Sequence, residues 1–73
     1  MKIKLTAKTH KGKNKIREAG TDEWMIVSVS ESTLCLGGGP GVLIQPNGEA
    51  DVMCKHRRWI ERDNDKNFDF EML

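Results

Sequence analysis

Gly41-Val-Leu-Ile-Gln-Pro-Asn-Gly-Glu-Ala-Asp-Val-Met-Cys54 is the stretch that decides the fold, because it joins two short apolar runs through Pro46-Asn47-Gly48. Pro46 fixes φ at the first central position of a type I turn, Asn47 suits the second, and Gly48 accepts the left-handed conformation that follows. These residues predict a β-hairpin with a three-residue loop and a G1 bulge.

The side chains of the two runs select the register of this hairpin. With a three-residue loop, Val42 faces Val52 and Ile44 faces Ala50, so the apolar side chains share one face. A two-residue loop would set Ile44 against Asp51 and mix the faces. Because a slip of one residue moves every side chain to the opposite face, we expect the first register. The other face then carries the polar side chains Gln45, Glu49 and Asp51.

Period-two alternation of apolar and polar side chains predicts strands elsewhere in the chain. Residues 2–8, 23–30 and 67–72 all alternate in this way, and residues 33–36 form a shorter run. In the second of these strands, we expect the face that carries Met25 and Val27 to point inward. The expected core is Met25, Val27, Val42, Ile44, Val52, Phe68 and Phe70.

Residues 9–22 separate the first two strands and are predicted to form a long loop. Gly12 and Gly20 interrupt the segment, and Ile16 is its main apolar side chain. We expect at most a single helical turn at residues 15–19.

A chain of 73 residues is long enough for one small domain, spanning residues 1–73. Five or six short strands bury a core only if their sheet curls on itself. We therefore expect an all-β fold, an SH3-like barrel or open β-roll of five to six antiparallel strands. The strand layout resembles small SH3-like barrels of the KOW and Tudor type. The compact, Met-initiated sequence also resembles small proteins encoded by bacteriophages and prophages.

The net charge of +1 conceals a strong asymmetry along the chain. Residues 1–17 carry seven basic residues and no acid, whereas residues 18–54 carry six acids and no base. A second basic cluster follows at residues 55–58, and the last residues are again acidic. Such asymmetry indicates a surface that faces a polyanion, although a solvated basic face is its ordinary structural role.

The basic residues and the tryptophans suggest contact with nucleic acid. Small barrels bind it by laying the backbone along Lys and Arg side chains and stacking bases on exposed aromatic rings. Trp59 is expected in the core, whereas Trp24 is the candidate for stacking. The candidate contact residues are Lys11, Lys13, Lys15, Arg57, Arg58 and Trp24.

A second hypothesis is docking on a partner protein, and the sequence ranks it first. Leu43 and Met53 are expected side by side on the outer face of the hairpin, where they would form an apolar anchor. The acidic stretches would repel phosphate. The expected function is thus a small non-catalytic binding module for a partner protein of phage or host type, with nucleic-acid binding as the alternative.

Other kinds of site are not expected. The glycines of residues 37–41 lead into a strand rather than a helix, which argues against a phosphate loop. Cys35, Cys54, His10 and His56 lack the paired spacing of zinc knuckles. We expect no cofactor, no metal, no catalytic residue and no small-molecule substrate. The sequence shows no signal peptide and no apolar run long enough for a membrane span, so a cytoplasmic location is expected, in the host cytoplasm if the chain is phage-encoded.

Overall fold

The structure is a computed structural model that describes residues 1–34, 37–47 and 55–73. Five antiparallel strands form one sheet in the order β4-β3-β2-β1-β5. The all-β class with five antiparallel strands is therefore confirmed. No helix among these residues is long and apolar enough to cross a membrane. The elements are β1 (Lys2–Ala7), α1 (His10–Ala19), β2 (Glu23–Ser30), β3 (Gly41–Pro46), β4 (Arg58–Glu61) and β5 (Phe68–Met72).

The sheet curls so that its two edge strands meet at one end. In a flat sheet of this order, β4 and β5 would lie about 19 Å apart, at about 4.8 Å per strand. The carboxylate of Asp65 instead accepts hydrogen bonds from both edges, from the backbone N–H of Glu61 at 2.9 Å and from that of Phe68 at 3.0 Å. One buried side chain therefore joins the end of β4 to the start of β5, and the sheet has a barrel-like shape.

The predicted loop at residues 9–22 is wrong, because most of it is the helix α1. Thr9 caps the helix by accepting a hydrogen bond from the Gly12 N–H at 3.1 Å. At the other end, Gly20 has φ 81° and donates to the carbonyls of Ile16 and Arg17. The glycines that suggested a loop therefore lie inside and just beyond a capped helix. Ile16 and Ala19 pack against the core.

Gly12 is buried where α1 crosses the turn between β4 and β5. A Cβ atom at this position would lie 2.5 Å from the carbonyl oxygen of Asn67. The same turn is bound to the start of the helix by Thr9, whose hydroxyl donates to Asn67 Oδ1 at 2.8 Å, and by the Lys8 N–H, which donates to the Asn67 carbonyl at 2.8 Å. The absence of a side chain at Gly12 allows this close approach.

The core differs from the expected one mainly in β2. Val42, Ile44 and Phe68 are buried as expected, and Phe70 is half-buried against them. Val52 lies outside the described residues. The buried apolar side chains are Ile3, Leu5, Trp24, Val42, Ile44, Ile60 and Phe68.

Strand β2 presents the opposite face to the core from the one predicted. Trp24 is 1% exposed and Ile26 packs against the core, whereas Met25 is half-buried and Val27 is 38% exposed. Both faces of this strand are apolar, so alternation alone does not decide between them. Burying the indole of Trp24 removes more apolar surface from water than burying Met25. The prediction of Met25 and Val27 in the core is therefore wrong.

The predicted pairing of β3 is also wrong. Val42 pairs with Val29 of β2 and with Ile60 of β4, and Ile44 pairs with Ile26 and with Arg58. A strand has two neighbours, so these residues take the positions that the prediction gave to Val52 and Ala50.

Other parts of the predicted hairpin are only partly testable. The bulged turn at Gly48 and the arm at residues 49–54 lie outside the described residues. So does half of the short run at residues 33–36, and its described residues, Thr33 and Leu34, are not in a strand. Gln45, expected on a polar outer face, is fully buried.

Candidate anion-binding site

A cleft of about 500 Å³ lies between α1 and the segment that leads into β4. Trp24 lies at its base, and the charged side chains around it come from the helix and from residues 55–58. Of the described residues, four cations, one imidazole and one carboxylate line the cleft. The lining residues are Lys15, Glu18, Trp24, Lys55, His56, Arg57 and Arg58.

The helix supplies Lys15 and Glu18, which are one turn apart on the same face. The Lys15 Nζ lies 3.8 Å from Glu18 Oε2, and the two side chains are 44% and 59% exposed. A pair of this separation and exposure is weak. Lys15 is therefore able to turn toward an anion in the cleft at little cost.

Arg57 is oriented by a buried amide. Its Nε–H donates to Gln45 Oε1 at 2.9 Å, and Gln45 is fully buried in β3. The Gln45 amide nitrogen lies 3.8 Å from the sulfur of Met25, so its environment on that side is weakly polar. A fixed amide acceptor reduces the rotamers open to Arg57 and so holds its guanidinium at the cleft.

Arg58 is the first residue of β4 and stacks on the core. The central carbon of its guanidinium lies 5.1 Å from the centroid of the Phe68 ring, within the range of a cation–π contact. Its Nε–H is enclosed and has no hydrogen-bond partner among the described residues. Buried N–H groups usually have a partner, so this donor is an exception.

Trp24 lies in the core, and Trp59 lies outside it. Trp24 is buried, and its indole N–H donates to the Thr21 carbonyl at 2.9 Å, so it has no exposed ring face for a base. Trp59 is half-buried and pairs with Leu43 on the face of the sheet away from the core. The expectation of a core Trp59 is therefore wrong, and Trp24 does not offer an exposed ring for the stacking considered for it.

The structure brings together four of the six residues proposed for nucleic-acid contact. Lys15, Arg57, Arg58 and Trp24 line the cleft, although Trp24 does so as part of its floor. Lys11 is exposed on α1 outside the cleft lining.

Lys13 lies at a second, shallower depression. It lines a groove of about 540 Å³ between α1 and β1, together with Lys4 and Arg17. This groove also contains Asp22 and more apolar surface, so its positive charge is less concentrated than that of the cleft.

Three lining residues were not among the candidate contacts predicted from the sequence: Glu18, Lys55 and His56. His56 was signalled by its position inside the basic cluster of residues 55–58. Glu18 follows Lys15 by three residues, a spacing that places both on one face only if the segment is helical. The missed helix therefore concealed Glu18.

The outer face of the sheet carries the proposed protein-contact residue Leu43. Leu43 is half-buried between Ser28 and Trp59, its partners in the neighbouring strands. The register of β2 shifts by one residue between Ile26 and Ser28, so Val27 and Ser28 both oppose Leu43. The other proposed contact, Met53, lies outside the described residues.

No cluster of three or more potential metal ligands occurs within residues 1–34, 37–47 and 55–73. Cys35 and Cys54 are not among these residues, and His10 is exposed on α1. Comparison of the chain with protein-family models, with curated proteins and with solved structures gives no match.

Proposed function

We propose that this chain is a non-catalytic protein that binds single-stranded nucleic acid through phosphate contacts in the basic cleft. The observation that carries the proposal is the convergence of Lys15, Lys55, Arg57 and Arg58 around one concave site, whose described lining residues include one carboxylate. Arg and Lys are the side chains that most often contact phosphate, and planar guanidinium groups bind it through two hydrogen bonds at once.

A single strand fits the cleft better than a duplex does. The cations line a concavity of about 500 Å³ rather than a broad convex face. A duplex is stiff and presents its phosphates on a wide cylinder, whereas a single strand bends to bring one phosphate inside. Since Trp24 is buried, binding rests on charge rather than on base stacking, and we expect little dependence on base sequence.

The fold agrees with this proposal. The strand order β4-β3-β2-β1-β5 and the curling of the sheet support a place among SH3-like barrels, as the strand layout predicted. A cytoplasmic location, in which nucleic acid is accessible, forms part of the same proposal.

Fluorescence anisotropy of a labelled oligothymidylate across a salt series tests the proposal. The cleft variant combines Lys15→Ala with Lys55→Ala, and the matched control combines Lys2→Ala with Lys66→Ala. Both variants lose two charges, and all four lysines are outside the core, so folding is unaffected.

We expect the cleft variant alone to bind more weakly at low salt. Its slope of log K against log salt should fall by about 1.4, because each phosphate contact on a single strand contributes about 0.7. Absence of binding by the parent protein at low salt contradicts the proposal. Equal loss in the two variants contradicts the assignment of the site to the cleft.

Docking on a partner protein is the second candidate, and the outer face of the sheet favours it. Val27, Leu43 and Trp59 place apolar surface there, and Val27 is 38% exposed. Affinity capture from the native host with nuclease present tests it. Docking would be supported by a partner protein that stays bound at high salt and is no longer captured by the Val27→Lys variant. Capture that is unaffected by this substitution would exclude this face.

A further inference from the structure

We infer that the cleft receives the phosphomonoester end of a nucleic-acid strand, with Arg58 as the residue that anchors the terminal phosphate. This inference rests on the proposed function and names the part of the ligand that enters the site. It follows from the arrangement of the cations by depth.

The cations of the cleft differ in how closely the protein surrounds them. Lys55 is exposed, and Lys15 is 44% exposed on the helix, so both mark the mouth of the cleft. Arg58 lies against the Phe68 ring, and its Nε–H is enclosed without a partner among the described residues. Arg58 therefore marks the inner end of the cleft, and its Nε–H lacks an acceptor oxygen among the described residues.

The shape of the ligand decides which phosphate reaches that inner end. An internal phosphodiester carries a sugar on both sides, and these sugars hold it near the mouth. A terminal phosphate is attached on one side only and presents three free oxygens. It therefore extends further toward Arg58 than a phosphate in the middle of a strand.

Charge favours the same end. A phosphomonoester carries about −1.5 to −2 at neutral pH, whereas a phosphodiester carries one negative charge. Among the described residues, the cleft lining has four cations and one carboxylate, that of Glu18, which lies 3.8 Å from Lys15. The terminal phosphate neutralises more of this excess charge than an internal one does.

Anisotropy with oligothymidylates that differ only at their ends tests the inference. The parent oligomer has two hydroxyl ends, and the test oligomers carry one 5′- or one 3′-phosphate. The control is an oligomer two nucleotides longer with hydroxyl ends, which carries about the same total charge as a phosphorylated one.

We expect at least one phosphorylated oligomer to bind about tenfold more tightly than both hydroxyl-ended oligomers, a difference of about 1.4 kcal/mol. If the longer control binds as tightly as the phosphorylated oligomers, only total charge matters. The inference then fails while the proposed function stands. If none of the oligomers binds, the proposed function itself fails.

The substitution Arg58→Lys tests whether Arg58 causes the preference for the phosphorylated end. Lysine keeps the charge but lacks the Nε–H and the planar group that stacks on Phe68. We expect the preference for the phosphorylated end to fall to about twofold or less. The preference is the ratio of the two affinities in the same variant, so a general loss of affinity does not change it. An unchanged preference in a folded variant would overturn the role of Arg58.

Phosphorus NMR of the oligonucleotide bound to the parent protein is a second test, and it does not depend on the folding of a variant. The resonance of the terminal phosphate should move further on binding than those of the internal phosphates. Movement of the internal resonances alone would overturn the inference.

Discussion

Replacing Asp65 with asparagine should strongly destabilise the protein, because this carboxylate closes the curled sheet. Its Oδ1 accepts from the Glu61 N–H at 2.9 Å, and its Oδ2 accepts from the N–H groups of Asn67 and Phe68, each at 3.0 Å. Asparagine has one carbonyl oxygen, which can face Glu61 or the other two donors but not both. At least one N–H then faces an amide NH₂ group.

The magnitude follows from these contacts. Asp65 is 9% exposed, so water replaces the lost acceptor poorly. An unsatisfied buried donor costs about 1–3 kcal/mol, and the remaining hydrogen bonds lose the strength that the negative charge gave them. We expect the free energy of unfolding to fall by about 2–4 kcal/mol, a large fraction of the stability of so small a domain.

Urea denaturation followed by circular dichroism measures this loss, with Asp63→Asn as the control. Asp63 is two residues away, its side chain is 79% exposed, and its nearest cation, the Arg62 Nε, is 3.7 Å from it. The control should leave stability nearly unchanged. An Asp65→Asn protein as stable as the control would refute the idea that this carboxylate joins the two edges.

Three further outcomes are expected. Gly12→Ala should lower the free energy of unfolding by about 1–3 kcal/mol, because its Cβ would lie 2.5 Å from the Asn67 carbonyl oxygen. This loss should exceed the helix preference of alanine, and a higher melting temperature would contradict it. Phe68→Ala should lower the free energy of unfolding by about 3–5 kcal/mol, and Phe70→Ala should lower it by less, since only Phe68 of the two is fully buried. The reverse order in urea titrations would refute the assigned core. Glu18→Gln should strengthen oligonucleotide binding severalfold at low salt by removing the carboxylate found among the described lining residues of the cleft, and weaker binding in anisotropy would count against the cleft.

Strands β1, β2 and β5 were predictable because each alternates with a period of two on a half-buried sheet, and β3 was predictable from its apolar run, but no strand was predicted at β4. The helix was not predictable from the sequence, because its burial depends on few apolar side chains, chiefly Ile16 and Ala19. Its ends are set by local chemistry instead, the Thr9 cap and the left-handed Gly20. Gly12 suggested a loop. Glycine is instead required there because the Asn67 carbonyl, 55 residues away along the chain, leaves no room for a Cβ atom.

The site was predictable in composition but not in geometry. Arg57 and Arg58 are adjacent in sequence, so their joint presence in a basic surface followed from the sequence alone. Their fixed orientations depend on Gln45 and Phe68, which tertiary packing brings to them. Whether Trp24 or Trp59 is buried likewise depends on which face of each strand meets the core, and both faces of β2 are apolar.

The most direct test of the basic cleft as a nucleic-acid site is a two-dimensional ¹H–¹⁵N NMR titration of the protein with a short single-stranded oligonucleotide. The account predicts that the largest shift changes fall on Lys15 and on residues 55–58, which line the cleft. Amides around Val27 and Leu43, away from the residues that line the cleft, should be nearly unaffected. Shift changes centred on the outer face of the sheet, or none at saturating oligonucleotide in low salt, would contradict the account.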